Sequence, residues 1–95
     1  NKMANFIIKR DRTKEPFNAQ KIKSAIIAAA VDAGLENKEG SKIAEEVSNT
    51  IAKSVANLGE ILAVEIRARA LSQLDAISPK VAEAWRKYDR ENGRE

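Results

Sequence analysis

Apolar and polar residues alternate at the start of the chain: Phe6, Ile8 and Arg10 interleave with Ile7, Lys9 and Asp11, and a second short extended run, residues 14–17, comes after the polar tip Asp11-Arg12-Thr13. A period of two broken by turn residues predicts a β-hairpin over about residues 5–17. A two-stranded hairpin is marginal alone, so its apolar side, read as Phe6, Ile8 and Phe17, is expected to pack on the rest of the chain.

The period then changes to that of a helix. Ile22, Ala25, Ile26, Ala29, Ala30 and Ala33 fall on one face of a helix over about 18–33. Asn18 is suited to cap it, Pro16 keeps Phe17 extended before it, and Phe17 with Ile22 forms a hydrophobic staple. Gly34 and Leu35 fit a Schellman stop. A second stripe, Ile43, Val47, Ile51 and Val55, predicts a helix over about 41–58 capped by Ser41, with Asn37 as an earlier candidate start. Ile66, Ala70, Leu74 and Ile77 mark a third helix over about 63–77, with residues 61–64 able to be extended locally. Ser78-Pro79 supplies an N-cap and an N1 proline for a fourth helix over about 78–92, with Val81, Ala82, Trp85 and Tyr88 on its apolar face. The fold class is therefore mainly α with a small N-terminal β-hairpin, a four-helix bundle capped by the hairpin. The expected domain is single and spans residues 3–95. Asn1 and Lys2 precede the sole methionine and are set aside as candidate vector remnants.

Length and composition narrow this further. With 95 residues the chain has room for one core, and 43% hydrophobic against 33% charged residues is a folding composition. The chain has no Cys and no His, which removes disulfides, zinc sites, thiol nucleophiles and imidazole bases together. The longest apolar run, residues 25–31, is far short of a membrane span, and no secretory signal is recognisable, so a cytoplasmic location is expected. Net charge is +3, but unevenly placed: residues 9–23 hold six basic residues against two acidic ones, a net +4, leaving −1 for the remainder. A nearly neutral body with one basic segment points to an anionic partner.

Several chemistries fail on spacing. Residues 34–42, Gly-Leu-Glu-Asn-Lys-Glu-Gly-Ser-Lys, miss the phosphate-loop pattern by one residue and by the order of Ser and Lys, and read as an interhelical loop. Glu45 and Glu46 are helix neighbours that do not face each other. The chain is therefore expected to be no enzyme in its own right. A small basic nucleic-acid-binding module is the alternative, but its first helix is mostly Ala and Ile beyond Lys23 and the four aromatic residues are few for base stacking. Five hydrogen-bonding side chains converge instead within 13 residues: Lys9 and Arg10 at the end of the first strand, Glu15 in the second, Asn18 and Lys21 at the helix start. Cations suit a polyphosphate, and a carboxylate with an amide suits the edge of an adenine-like base.

The run Ile7-Ile8-Lys9-Arg10-Asp11-Arg12-Thr13-Lys14-Glu15-Pro16-Phe17-Asn18-Ala19-Gln20-Lys21-Ile22 resembles the opening motif of the ATP-cone domain, Val-x-Lys-Arg-Asp-Gly-x-x-Glu-x-Phe-Asp/Asn-x-x-Lys-Ile. Val64-Glu65-Ile66 looks like that family's third-helix start. The run Val81-Ala82-Glu83-Ala84-Trp85-Arg86-Lys87-Tyr88-Asp89-Arg90 resembles its closing stretch, so the likeness covers roughly residues 5–92. The resemblance implies an allosteric module that binds ATP or dATP, with Mg²⁺ as an optional companion of the triphosphate and no metal site of its own side chains. It implies a place at the N-terminus of a ribonucleotide reductase large subunit, the anaerobic triphosphate-reducing class being slightly favoured. Nucleotide-dependent assembly or ordering would then control overall activity, with the catalytic domain or subunits, and a homo-oligomer, as partners. Carried over by position, Lys9, Arg10 and Arg90 would contact phosphates, Glu15 and Asn18 the adenine, Lys21 the nucleotide near base or phosphates, Ile7 through its backbone, and Arg67 the sugar and inner phosphate. A related transcriptional repressor of reductase genes joins this module to a zinc ribbon, a reading that would need a further segment here. Three positions depart from the pattern. Arg12 replaces the hairpin-tip glycine, Ala63 sits where some members have a phosphate-contacting threonine, and Asp89 takes the place of the closing arginine.

Overall fold

The computed structural model describes residues 5–92. The order of elements is β1 (Phe6–Ile8), β2 (Lys14–Pro16), α1 (Ala19–Asp32), α2 (Asn37–Leu58), β3 (Glu60–Leu62), α3 (Ala63–Ile77) and α4 (Pro79–Glu91). Four helices and a small sheet are the architecture that the periodicities require. The outer ends of the expected 3–95 span, and the two residues set aside before it, lie outside the described residues.

The hairpin closes as the sequence predicts, with Ile7 opposite Glu15 and Ile8 opposite Lys14. At its tip the Lys9 carbonyl accepts from the Arg12 N–H at 2.9 Å, and the Lys9 N–H donates to the Thr13 carbonyl at 2.8 Å. Arg12 sits at φ 74, the left-handed conformation that this turn demands and that glycine adopts most cheaply. The Asp11 carboxylate accepts from the Thr13 N–H at 3.0 Å and its hydroxyl at 2.6 Å, which pins the loop.

Phe17 packs on the core as expected, but the inward side of β1 is the reverse of the one expected. Ile7 and Phe17 pack against the core, whereas Phe6 and Ile8 stand on the other face of the sheet. The reason is a third strand: β3 runs parallel to β1, pairing Ile7 with Ile61, and buried Ile61 draws Ile7 to the core side. The local extension anticipated at 61–64 is thus a true strand one residue earlier, in a sheet of order β2-β1-β3.

Asn18 caps α1, its side-chain oxygen accepting from the Gln20 N–H at 2.9 Å. The helix closes in the expected Schellman motif, with the Leu35 N–H donating to the Ala30 carbonyl at 2.9 Å and Gly34 at φ 87. The second helix begins at Asn37 rather than Ser41, so the second half of the expected interhelical loop is helical. Gly40 explains why: an added Cβ would lie 2.9 Å from the Ala30 Cβ, so its bare backbone permits close contact between α1 and α2. Ile43, Val47, Ile51 and Val55 are all buried, as are Ile26, Ile66, Leu74 and Val81 from the other helices. On the remaining stripes Ile77 and Tyr88 are exposed, and Asp89, not Tyr88, continues the inward face of α4. Ser78 holds the N-cap position of α4 without a side-chain capping bond.

Candidate functional site

A cleft of about 530 Å³ opens where four elements meet. The end of the first strand brings Lys9 and Arg10, the first two turns of α1 bring Lys21, Ile22 and Ala25, the start of α3 brings Ala63, Val64, Ile66 and Arg67, and α4 brings Trp85 and Asp89. The convergence is a result of topology: the hairpin runs straight into α1, and β3, held beside β1, runs straight into α3. The cleft combines four cations, Lys9, Arg10, Lys21 and Arg67, and the Asp89 carboxylate with apolar side chains. Its lining carries no hydroxyl, thiol or imidazole, and the described residues contain no group of three His, Cys, Asp or Glu able to hold a metal ion.

The cations do not stand unpaired. Glu15 lies between Lys9 and Lys21, with each ammonium 3.8 Å from a different carboxylate oxygen. Such long contacts between partly exposed groups are weak and can be exchanged for a more highly charged anion. Arg67 behaves differently: its Nε donates to the Asp89 carboxylate, which is only 3% exposed. No side chain caps α3 at Leu62, and its first residues, Ala63 and Val64, line the cleft, so the positive end of a helix adds to the field.

Of the residues singled out from sequence, Lys9, Arg10, Lys21 and Arg67 line the cleft. Glu15 joins them through the two lysines, and Asn18 stands at the helix start, occupied as its cap. Ile7 lies on the central strand with its side chain half-buried against the core. Arg90 is not among the lining residues; it approaches Glu83 at 3.8 Å. Sequence reasoning places Trp85 in the core and treats Asp89 only as a departure from a pattern. Trp85 does pack on the core, but it is half-buried and also lines the cleft. Their spacing of four on α4 is the available signal, since it puts both on one helical face.

Fold and cleft together define a mainly helical domain with a small sheet, whose cleft gathers four cationic side chains beside apolar ones. The family model of the ATP cone domain matches residues 5–93, and the chain belongs to that family. ATP-cone domains are regulatory, not catalytic, and bind ATP or dATP. No curated protein matches the chain. Among the described residues no helix is long and apolar enough to cross a membrane.

Proposed function

We propose that this domain senses ATP and dATP for a ribonucleotide reductase and regulates that enzyme's overall activity. The observation that carries the reading is the cleft that brings Lys9, Arg10, Lys21 and Arg67 together with apolar Ile22, Val64 and Trp85. The cations and the α3 N-terminus take the triphosphate, with Mg²⁺ as an optional companion; the apolar side chains take the base, and Glu15 and Asn18 read its edge. Ile7 contributes through its backbone, and Arg90 reaches the outer phosphates from α4. Bound nucleotide then ties the hairpin to α3 and α4. Regulation results if ATP and dATP bind two arrangements of this module unequally, since a ligand of equal affinity for both shifts nothing. The arrangements differ in how the domain meets the catalytic subunits or a second copy of itself. The reductase as parent rests on the family resemblance.

Calorimetric titration with ATP, dATP and GTP in the presence of Mg²⁺ tests the reading. Saturable binding of the adenine nucleotides with GTP much weaker is expected, and Glu15→Ala should erode that preference. Equal binding of GTP, or no binding of any nucleotide, would refute it.

A further inference from the structure

The Arg67–Asp89 pair is unlike the other ion pairs around the cleft. Lys9 and Lys21 are exposed, Glu15 is partly exposed, and they meet at 3.8 Å, so they can rearrange at little cost. Asp89 is 3% exposed, and its Oδ2 accepts from Arg67 Nε. A carboxylate withdrawn from water this far is strongly disfavoured without its partner, so Arg67 is not free to swing away toward a ligand. A guanidinium has five N–H donors in a rigid plane, and Asp89 engages the one on Nε. Both side chains border the cleft, that of Arg67 31% exposed and that of Asp89 only 4% exposed.

The geometry points to Asp89 as a positioning residue: it anchors Arg67 by Nε and turns the two terminal nitrogens toward the cleft as a prepared fork for a phosphate group. This rests on the proposed nucleotide site and adds to it a residue that acts through Arg67. Preorganisation is the physical gain, because a held guanidinium loses less rotamer freedom on binding than a free one. Simple electrostatics predicts the opposite behaviour, since a negative charge beside an anion site should weaken anion binding and its removal should strengthen it.

The two accounts separate in a double-mutant cycle read by calorimetry with ATP, adenosine and inorganic tripolyphosphate, each variant first shown to be folded by circular dichroism. With Arg67 present, Asp89→Asn is expected to weaken ATP and tripolyphosphate by about tenfold, the scale of one charge-assisted hydrogen bond, and to leave adenosine almost unchanged. In the Arg67→Gln background the same change should cost nothing and can only help the anions. Arg67→Lys, which keeps the charge but not the fork, should lose triphosphate affinity to a similar degree, and it carries the test if Asp89→Asn does not fold. Equal or tighter ATP binding by Asp89→Asn, equal losses for ATP and adenosine, or undiminished triphosphate binding by Arg67→Lys would overturn the assignment. Wild-type protein that grips tripolyphosphate in an Asp89-dependent way but does not prefer adenine would overturn the nucleotide reading and leave the positioning role standing. Wild-type protein that binds neither would overturn both.

Discussion

Arg12 holds a left-handed backbone conformation at the hairpin tip, with φ 74. For an L-residue this costs about 1–2 kcal/mol, part of which glycine returns through its greater freedom in the unfolded chain. Arg12→Gly is therefore expected to stabilise the protein by about 0.5–1 kcal/mol, measured by urea unfolding, and a loss of stability would show that the arginine side chain makes up the strain. The same residue marks what was legible at this scale. The substitution of the tip glycine is plain in the sequence, but whether the turn keeps its form depends on whether the surrounding bonds outweigh the strain. Here the Asp11–Thr13 contacts and the Lys9–Thr13 bond hold it. Those contacts lower the Asp11 carboxyl below its ordinary value, chiefly through the Thr13 hydroxyl. Asn18 and the Schellman glycine were legible for the opposite reason, since a cap is decided by neighbours in sequence. Asp89 was not, because its partner Arg67 is brought to it only by the packing of α3 on α4.

Helix pairing sets the next scale. Gly40 touches Ala30, and a Cβ there would come within 2.9 Å of an atom fixed to the α1 backbone. Gly40→Ala gains helix propensity of up to about 1 kcal/mol but overpacks a contact at a cost of about 1–3 kcal/mol. A net loss of about 1 kcal/mol in thermal or chemical unfolding is expected, and an unchanged midpoint would mean that α1 and α2 separate easily. The sequence left the start of α2 open between Asn37 and Ser41, and α2 takes the earlier one; only the neighbouring helix reveals that Gly40 is a contact. Between α3 and α4, Arg86 grips Asp75 with both terminal nitrogens, at 2.9 and 2.7 Å. That hydrogen bonding holds the Asp75 carboxyl below its ordinary 3.8. Its contribution is thus complete above that value and is lost as the pH falls through the lower folded-state value. Asp75→Asn should lower the melting temperature at pH 7, and the difference should shrink as the pH falls below 3.8. A constant difference across that range would assign the effect to packing instead of charge.

At the scale of the whole molecule, the cleft draws on the hairpin, α1, α3 and α4 at once. A ligand there stabilises only the assembled state, by about 2.7 kcal/mol when its concentration is a hundred times its dissociation constant. ATP is therefore expected to raise the melting temperature of the wild-type domain in a concentration-dependent way, and to do so far less for Lys9→Ala. An equal rise in both would remove Lys9 from the phosphate site. The first three helices were readable because their stripes recur over about three turns, the fourth because Ser78-Pro79 marks its start, and the cationic motif because it is continuous from the first strand into α1. Of the third strand only a local extension was legible, not its pairing: three residues are too few for a period, and its partner lies more than half the chain away. Without that pairing neither the inward side of β1 nor the place of α3 at the cleft can be deduced.

The parallel bridge between residues 6–8 and 60–62 also governs the order in which the protein can come together. Helices and a tight hairpin arise from local contacts and form quickly, whereas this bridge closes a loop containing all of α1 and α2 and must wait for them to collapse. During refolding, ellipticity at 222 nm should recover before the chain regains any hold on ATP. During synthesis the bridge can form only once residues 60–62 have left the ribosome, and the cleft is complete only when α4 has followed with Trp85 and Asp89.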